Sequence, residues 1–295
     1  MTQNFTTQAA LTRLPADSDS EEIVSVIKRD GGLILTNLIA PSHATSFADE
    51  LQDSVDHREP GFLSGHDDTF YGNDTIRMQS MARRSKTWVN EMLLNPVLLS
   101  IADAILHPHC GDYWLSQSEL IYLGPDQAVQ ELHRDDLNWP FAARLEDIDL
   151  QLACLIAIGD YDAEVGATRV VPGSHLWPKG REAKDSEIVQ AVMEPGDALV
   201  YTGSLIHSGG QNKTHDRWRK ALYLSYLVGW LTPEEAVPLA ISPELARTLP
   251  KRARELLGLS NLPSREGAHG AEAALQLWQL DEDDLIAADG AFHIR

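Results

Sequence analysis

The spacing of apolar positions changes along the chain. In EEIVSVIKRDGG (21–32), Ile23, Val24 and Ile27 lie at helical spacing and a glycine pair follows, which predicts a short amphipathic helix. GLILTNLI (32–39) is a short apolar run that reads as a strand, and Pro41-Ser42 opens a second helix to about His57. Residues 58–75 are rich in Gly, Asp, His and Pro and show no period. That is the pattern of a long lid or binding loop. Helical spacing returns over 86–106, interrupted at Asn95-Pro96. From Tyr113 to about Val228 the chain becomes a series of short strand-like runs separated by Gly, Pro and Asp. They are YWLSQSELIYL (113–123), DLQLACLIAI (149–158), ATRVV (167–171), IVQAVME (188–194), DALVY (197–201) and ALYLSYLVGW (221–230). Strands at this spacing predict a sandwich or barrel. Beyond Leu231 the helical period resumes, and LDEDDL (280–285) marks an acidic end. The expected organisation is a loose arm over 1–18 and a single domain over 19–295. Within the domain, a β core at about 111–230 is flanked by helical layers at 19–106 and 232–258, with a peripheral tail at 259–295.

Composition narrows the function by exclusion. The 295 residues carry 24 Lys+Arg against 44 Asp+Glu, a formal net charge of −20. Nucleic-acid binding needs positive charge to displace phosphate counterions, and an anionic membrane surface likewise attracts basic segments, so neither partner is expected. With 43% hydrophobic residues the chain reads as globular rather than disordered. Two cysteines, Cys110 and Cys154, make no disulfide framework. The N-terminus lacks a basic start followed by an apolar run, and the longest apolar stretch, around 150–158, is far too short to span a bilayer. A soluble cytoplasmic protein is expected.

The segment QELHRDDLNWP (130–140) carries the clearest chemistry. At a strand end, alternation would put His133 and Asp135 on one face, and an imidazole beside a carboxylate suits a transition metal. The best third ligand is His207, in YTGSLIHSGGQNKT (201–214), which follows DALVY and precedes a glycine pair. Two His and one carboxylate form the facial triad of non-haem Fe(II) oxygenases, which leaves coordination positions open. A His-x-Asp pair alone occurs by chance in many proteins, and other histidines carry weaker claims. His107-Pro108-His109-Cys110 looks like a soft-metal cluster but sits at a helix end beside a proline. Asp136 would point away from Asp135.

Four segments taken together resemble the phytanoyl-CoA dioxygenase family of Fe(II)/2-oxoglutarate oxygenases. They are GDYWLSQSEL (111–120), QELHRDD (130–136), GATRVVPGSHLWP (166–178) and PGDALVYTGSLIHSGGQNKTHDRWRKAL (195–222). The likeness is greatest to members that tailor fungal and bacterial secondary metabolites, and it extends to about residue 258. It implies a double-stranded β-helix, or jelly roll, in agreement with the strand pattern. It also implies that His133, Asp135 and His207 ligate iron, that O₂ is consumed, and that Arg219 grips the far carboxylate of 2-oxoglutarate. A guanidinium pairs with a carboxylate through two parallel bonds. Arg217, two residues earlier, is the neighbouring alternative, and spacing alone does not separate them. Gln130, Thr168 and Gln79, the last from the helical layer, resemble further polar contacts to the cosubstrate. His175 matches a position that is structural or pocket-lining.

The resemblance implies C–H oxidation of a small molecule by hydroxylation, desaturation or rearrangement, with release of succinate and CO₂. Tyr71, Tyr113, Trp114 and Trp139 flank the motif segments, and His66, Phe70, Phe62 and Leu63 lie on the long loop. They are the candidate pocket lining and suit a largely apolar, natural-product-like substrate. A fatty acyl-CoA is the alternative, but Asp67, Asp68 and Asp74 make that loop unfavourable for phosphates. A non-catalytic metal-binding cupin-like protein, a halogenase and a metal-dependent hydrolase are the remaining classes. Asp135 disfavours the halogenase, whose site replaces the carboxylate with a small residue. Related tailoring enzymes are often homodimers, which makes the C-terminal helices the expected interface.

Overall fold

The helix predicted over 21–32 spans Ser20–Asp30 (α1), with the Asp19 side chain accepting from the Glu21 N–H at 2.8 Å and Gly31 ending it at φ 81°. Both features follow from the chain ends of a helix, where orphan N–H groups need acceptors and a left-handed residue closes the last turn. The computed structural model describes residues 10–61, 68–141, 144–145 and 147–261. It is mostly sheet with flanking helices. In chain order, β1 (Arg13–Pro15) precedes α1, then come β2 (Gly32–Thr36), α2 (Pro41–Asp56), α3 (Asp68–Tyr71), β3 (Thr75–Met78) and α4 (Pro96–Leu106). The remaining strands are β4 (Tyr113–Leu123), β5 (Gln151–Ala157), β6 (Arg169–Val170), β7 (Val189–Gln190), β8 (Ala198–Thr202), β9 (His207–Ser208) and β10 (Arg219–Val228). Short helices α5 (Val237–Ala240), α6 (Pro243–Thr248) and α7 (Lys251–Leu256) close the described part.

Seven strands form one sheet in the order β1-β2-β8-β5-β10-β4-β3, and three form a small sheet in the order β7-β6-β9. Alternation along the central strands divides the core into two layers. On β5, Leu152, Cys154 and Ile156 pack with Phe47, Trp88 and Ile101 of the helical side. Ala153, Leu155 and Ala157 pack instead with Ala167, Val170 and Ala191 from the segments of the small sheet. The same split on β10 sends Leu222 and Leu224 to the helices, and Ala221 and Tyr223 to the small-sheet side. The second layer is where the site lies.

Three expectations change. Arg13–Pro15, placed in a loose arm, pairs in parallel with Ile34–Thr36 and is held by Arg13 on Asp197 at 3.0 Å. Thr75–Met78, which starts at the last residue of the expected loop and runs into the expected helical layer, is a strand antiparallel to Leu120–Leu123. It is an edge strand, so only one side of its backbone needs a partner and its short run gives little periodic signal. The third is a break in alternation: β4 and β10 slip register between Ser225 and Tyr226, so that Ser225 faces Gln117 while Tyr226 faces Leu115. Ser116 is the extra residue. A bulge reverses the phase of everything beyond it, so Tyr113 and Leu115 turn to the helices although Gln117, Glu119 and Ile121 face the other way.

Asn95-Pro96 marks a true helix start, with Asn95 Oδ1 accepting from the N–H groups of Val97 and Leu98 at 3.1 and 3.2 Å. A six-residue π-helical segment, Trp88–Leu93, precedes it. Cys110 and Cys154 are free and buried, and burial pushes the Cys110 thiol up to about 11. No described helix is long and apolar enough to cross a membrane.

Gly31 couples α1 to the site-bearing loop. A Cβ there would lie 2.6 Å from Leu205 Cδ1 and from His175 Nδ1, in addition to the left-handed φ. Gly31→Ala is expected to lower the unfolding free energy by about 1–3 kcal/mol, measured by urea denaturation at 25 °C.

Candidate active site

His133 and His207 are joined before their side chains are considered. The two residues form an antiparallel bridge, with His133 N–H donating to the His207 carbonyl at 2.9 Å and His207 N–H to the His133 carbonyl at 3.0 Å. Asp135 does not share a strand face with His133, because no strand forms there. It opens a short 3-10 turn, Asp135–Asn138, and that turn brings its carboxylate round. Asp135 Oδ1 lies 3.6 Å from His133 Nε2 and 3.5 Å from His207 Nε2. The donor atoms of all three residues fall within 4.8 Å of one another, and this is the only such His/Cys/Asp/Glu group found among the described residues.

The imidazoles are preset. His133 Nδ1 contacts the Glu131 carbonyl at 2.9 Å, and His207 Nδ1 the Leu205 carbonyl at 3.0 Å. A carbonyl only accepts, so each ring carries its proton on Nδ1 and presents a lone pair on Nε2. Such backbone contacts fix ring orientation in metal sites. Burial, reinforced by His207, lowers His133 to about 4, so its imidazole is neutral at pH 7. The donor set, two neutral imidazoles and a carboxylate, fits Fe(II).

The neighbouring residues tie the motif down. Between His133 and Asp135, Arg134 turns away and donates to the carbonyls of Ser204 at 2.6 Å and Ser174 at 2.8 Å. It anchors the His-x-Asp segment to the loop carrying His207. Asp136 is buried, and its backbone N–H donates to Gly203. His175 contacts the Lys28 carbonyl at 3.1 Å, a structural role. His107 sits between Asp103 and Asp112, at 3.3 and 3.5 Å, outside the three-residue group.

The cavity at the triad measures about 650 Å³, and its lining includes Gln130, Thr168 and Arg219. Arg219, at the start of β10, is 4% exposed. Its Nη1 donates to the Gly166 carbonyl at 3.0 Å, and its buried Nε has no hydrogen-bond partner. No carboxylate pairs with it among the described residues, so an enclosed cation faces the cavity without a counter-charge. That is costly unless an anion arrives, and 2-oxoglutarate fits the vacancy in charge. Arg217 is different. It precedes β10, so strand alternation does not reach it, and it pairs at the surface with Asp162 at 2.7 Å and Asp160 at 3.5 Å. Gln130 Oε1 accepts from the Gly209 N–H at 2.9 Å, and Thr168 Oγ1 lies 2.6 Å from Tyr161 Oη.

The lining also includes Phe70, Tyr71, Arg77, Gln79, Gln117, Glu119, Asn138 and Glu234. Phe70 packs edge-on against His133 at 5.0 Å. Gln79 therefore reaches the cavity, though from the end of β3 rather than from a helix. His66, Phe62 and Leu63 lie outside the described residues. Three aromatic candidates are not in the cavity. Tyr113 is fully buried on the helical side, where its hydroxyl donates to Asp103 at 2.8 Å, because the Ser116 bulge reverses its side. Trp114 packs with Leu227 and donates to the Leu231 carbonyl, and Trp139 packs beside them and donates to Thr232. Both indoles are anchored to the segment that follows β10.

Sequence reasoning missed the polar wall. Arg77 and Glu119 form a buried ion pair; the signal was a lone charge inside the apolar run YWLSQSELIYL. Tyr223 shares the face of Arg219 by strict alternation, and its hydroxyl donates to Asp135 Oδ2 at 3.2 Å.

These elements define a class, the non-haem mononuclear-iron oxygenases that take a 2-oxoacid. The sequence profile described as phytanoyl-CoA dioxygenase (PhyH) matches residues 27–221, and the chain belongs to that family. It is an Fe(II)- and 2-oxoglutarate-dependent dioxygenase. The dioxygenase sphC of Aspergillus fumigatus is 34% identical over 93% of this chain and 75% of that protein. The dioxygenase cdmA of Talaromyces verruculosus is 30% identical over 88% of this chain and 89% of its own. Among solved structures, the epimerase SnoN in complex with Fe3+, alpha ketoglutarate and nogalamycin RO superposes with a TM-score of 0.57. It is 19% identical and covers 90% of this chain and 96% of its own, a likeness of fold.

Glu234 supplies a test free of substrate. Its carboxylate accepts from Ser116 Oγ, Gln151 Nε2 and Asn138 Nδ2 at 3.0–3.2 Å, all neutral donors. Burial, and then repulsion from Asp135, raise it to about 7. A carboxyl raised on folding stabilises at low pH, and that stability is lost as pH rises through the folded value. In EDTA, wild-type Tm is expected to fall relative to Glu234→Gln between pH 5 and pH 8, followed by differential scanning calorimetry.

Proposed function

We propose that His133, Asp135 and His207 hold Fe(II), and that Arg219, with Gln130 and Thr168, holds 2-oxoglutarate by its far carboxylate. The observation that carries this reading is the three-donor cluster, within 4.8 Å, in a cavity also lined by Arg219, a buried cation whose Nε has no hydrogen-bond partner and which pairs with no carboxylate among the described residues. Together iron and 2-oxoglutarate supply O₂ activation, with 2-oxoglutarate leaving as succinate and CO₂. The protein's own part is positional. Backbone carbonyls point both Nε2 atoms inward, Arg219 sets the direction of the cosubstrate, and the walls keep water from the reacting carbon. We read the two-sheet scaffold as a double-stranded β-helix.

The substrate is a small natural-product-like molecule, and the reaction is oxidation of one of its C–H bonds. Relatives described as fungal dioxygenases support this class. Phe70, Tyr71, Ile121 and Leu137 give the cavity apolar surface, while Glu234, Gln117 and Asn138 give it polar contacts. The substrate is therefore a largely apolar skeleton that also bears hydrogen-bonding groups. A cytoplasmic location, no nucleic-acid or membrane partner, and a homodimer through the C-terminal helices complete the proposal.

Succinate release over a panel of polycyclic natural-product intermediates, with mass spectrometry of products, tests the reaction. His133→Ala and Asp135→Ala are expected to abolish substrate-dependent succinate; wild-type turnover with normal iron content in either variant refutes the ligand assignment. Arg219→Leu is expected to weaken 2-oxoglutarate binding at least about 30-fold, read by anaerobic calorimetric titration of the Fe(II) protein, because it removes the partner of an enclosed carboxylate. Arg217→Leu is expected to leave that affinity unchanged.

A further inference from the structure

The two oxygens of Asp135 have different company. Oδ1 faces both imidazole Nε2 atoms, at 3.6 and 3.5 Å. Oδ2 accepts from Tyr223 Oη at 3.2 Å. Tyr223 stands in the middle of β10, paired on one side with β4 at Glu119 and on the other with β5 at Leu155. Its ring is therefore carried by one of the best-braced strands of the sheet. Its hydroxyl also accepts from Gln151 Nε2 at 3.4 Å, and Gln151 is fully buried. An amide N–H can only donate, so the phenolic proton is directed to Asp135 Oδ2. The same amide donates to Glu234 Oε1 at 3.2 Å, which joins the cavity wall to the carboxylate.

We propose that Tyr223, oriented by Gln151, is a positioning residue that makes Asp135 a one-oxygen ligand. The phenol occupies Oδ2, so that only Oδ1 is available to the metal. A carboxylate free to offer both oxygens would take a second coordination position that the cosubstrate or O₂ requires. Without the lock the carboxylate also rotates, and both effects lower the fit of the site to the ion. Hydrogen bonds of this kind behind metal ligands are worth about 10–100-fold in metal affinity or activity. The inference rests on the assignment of Asp135 as a ligand.

The test uses the full-length protein, Tyr223→Phe and Gln151→Met, titrated anaerobically with Fe(II) and separately with Co(II) as a visible-absorption probe. Asp135→Ala is the reference for loss of the ligand itself. Tyr223→Phe keeps the ring and removes only the hydroxyl. It is expected to bind Fe(II) about 10–100-fold more weakly, to change the Co(II) absorption envelope, and to keep its Tm in EDTA. Gln151→Met, which leaves the phenol but frees its proton, is expected to shift both metal readouts in the same direction by less, and it decides the matter if Tyr223→Phe does not fold. Wild-type metal affinity and Co(II) spectrum in the folded variants overturn the proposal, as does a lowered Tm with unchanged metal readouts, which marks Tyr223 as a packing residue. If Asp135→Ala itself binds Fe(II) as tightly as wild type, the ligand assignment fails instead.

Discussion

The reciprocal backbone bridge between His133 and His207 is the contact on which the site depends. Two hydrogen bonds of 2.9 and 3.0 Å hold together chain segments that are far apart in sequence. With the backbones fixed side by side, each imidazole has one exit for its Nδ1 proton, the carbonyl two residues before it, and both Nε2 atoms are left facing the same point. Arg134 reinforces the junction by bonding Ser204 and Ser174. The 3-10 turn at Asp135 then supplies the third donor without a strand. Preorganisation of this kind reduces the reorganisation a metal must impose when it binds.

Electrostatics shape the rest of the cavity. In a chain of net charge −20, a dianionic cosubstrate meets an unfavourable overall field. In the proposed site Arg219 offsets it locally, because it is enclosed and charge interactions there are screened far less than at the surface. Arg217 carries the same charge two residues away and contributes nothing of the kind, since Asp162 and Asp160 already satisfy it in water. Arg77, also in the lining, is matched by Glu119, which leaves Glu234 as an acidic group surrounded by neutral donors. The lining thus combines an enclosed cation, Arg219, with a carboxyl suited to hydrogen-bond donors on a substrate.

Much of this was legible from residue patterns. The strand runs over 113–123, 149–158, 197–201 and 221–230 became β4, β5, β8 and β10, because both faces of these strands are buried and their apolar runs are long. His133, Asp135 and His207 were singled out from motif and spacing and Arg219 from the family resemblance, and the fold brings all four to one cavity. The failures share a cause. Tyr113 was placed at the cavity by its closeness to the motif, and one extra residue at Ser116 turned it to the opposite face. Trp114 and Trp139 were judged by the same nearness, but their indole N–H groups found carbonyls in the Leu231–Thr232 segment. Arg13–Pro15 was too short and polar to read as a strand, and only its pairing with Ile34–Thr36 makes it one.

The sequence by itself determined the residue types available to the site, the runs of strand hydrophobicity and family membership. These are local properties, carried by residue identity and by periods of two or 3.6 positions. Tertiary structure alone decided which arginine is enclosed, which oxygen of Asp135 faces the imidazoles, and that Tyr223, Gln151 and Glu234 stand behind it. Those facts depend on register, on a single bulge and on hydrogen bonds between residues remote in the chain, and a one-residue shift in pairing reverses the face of every side chain beyond it.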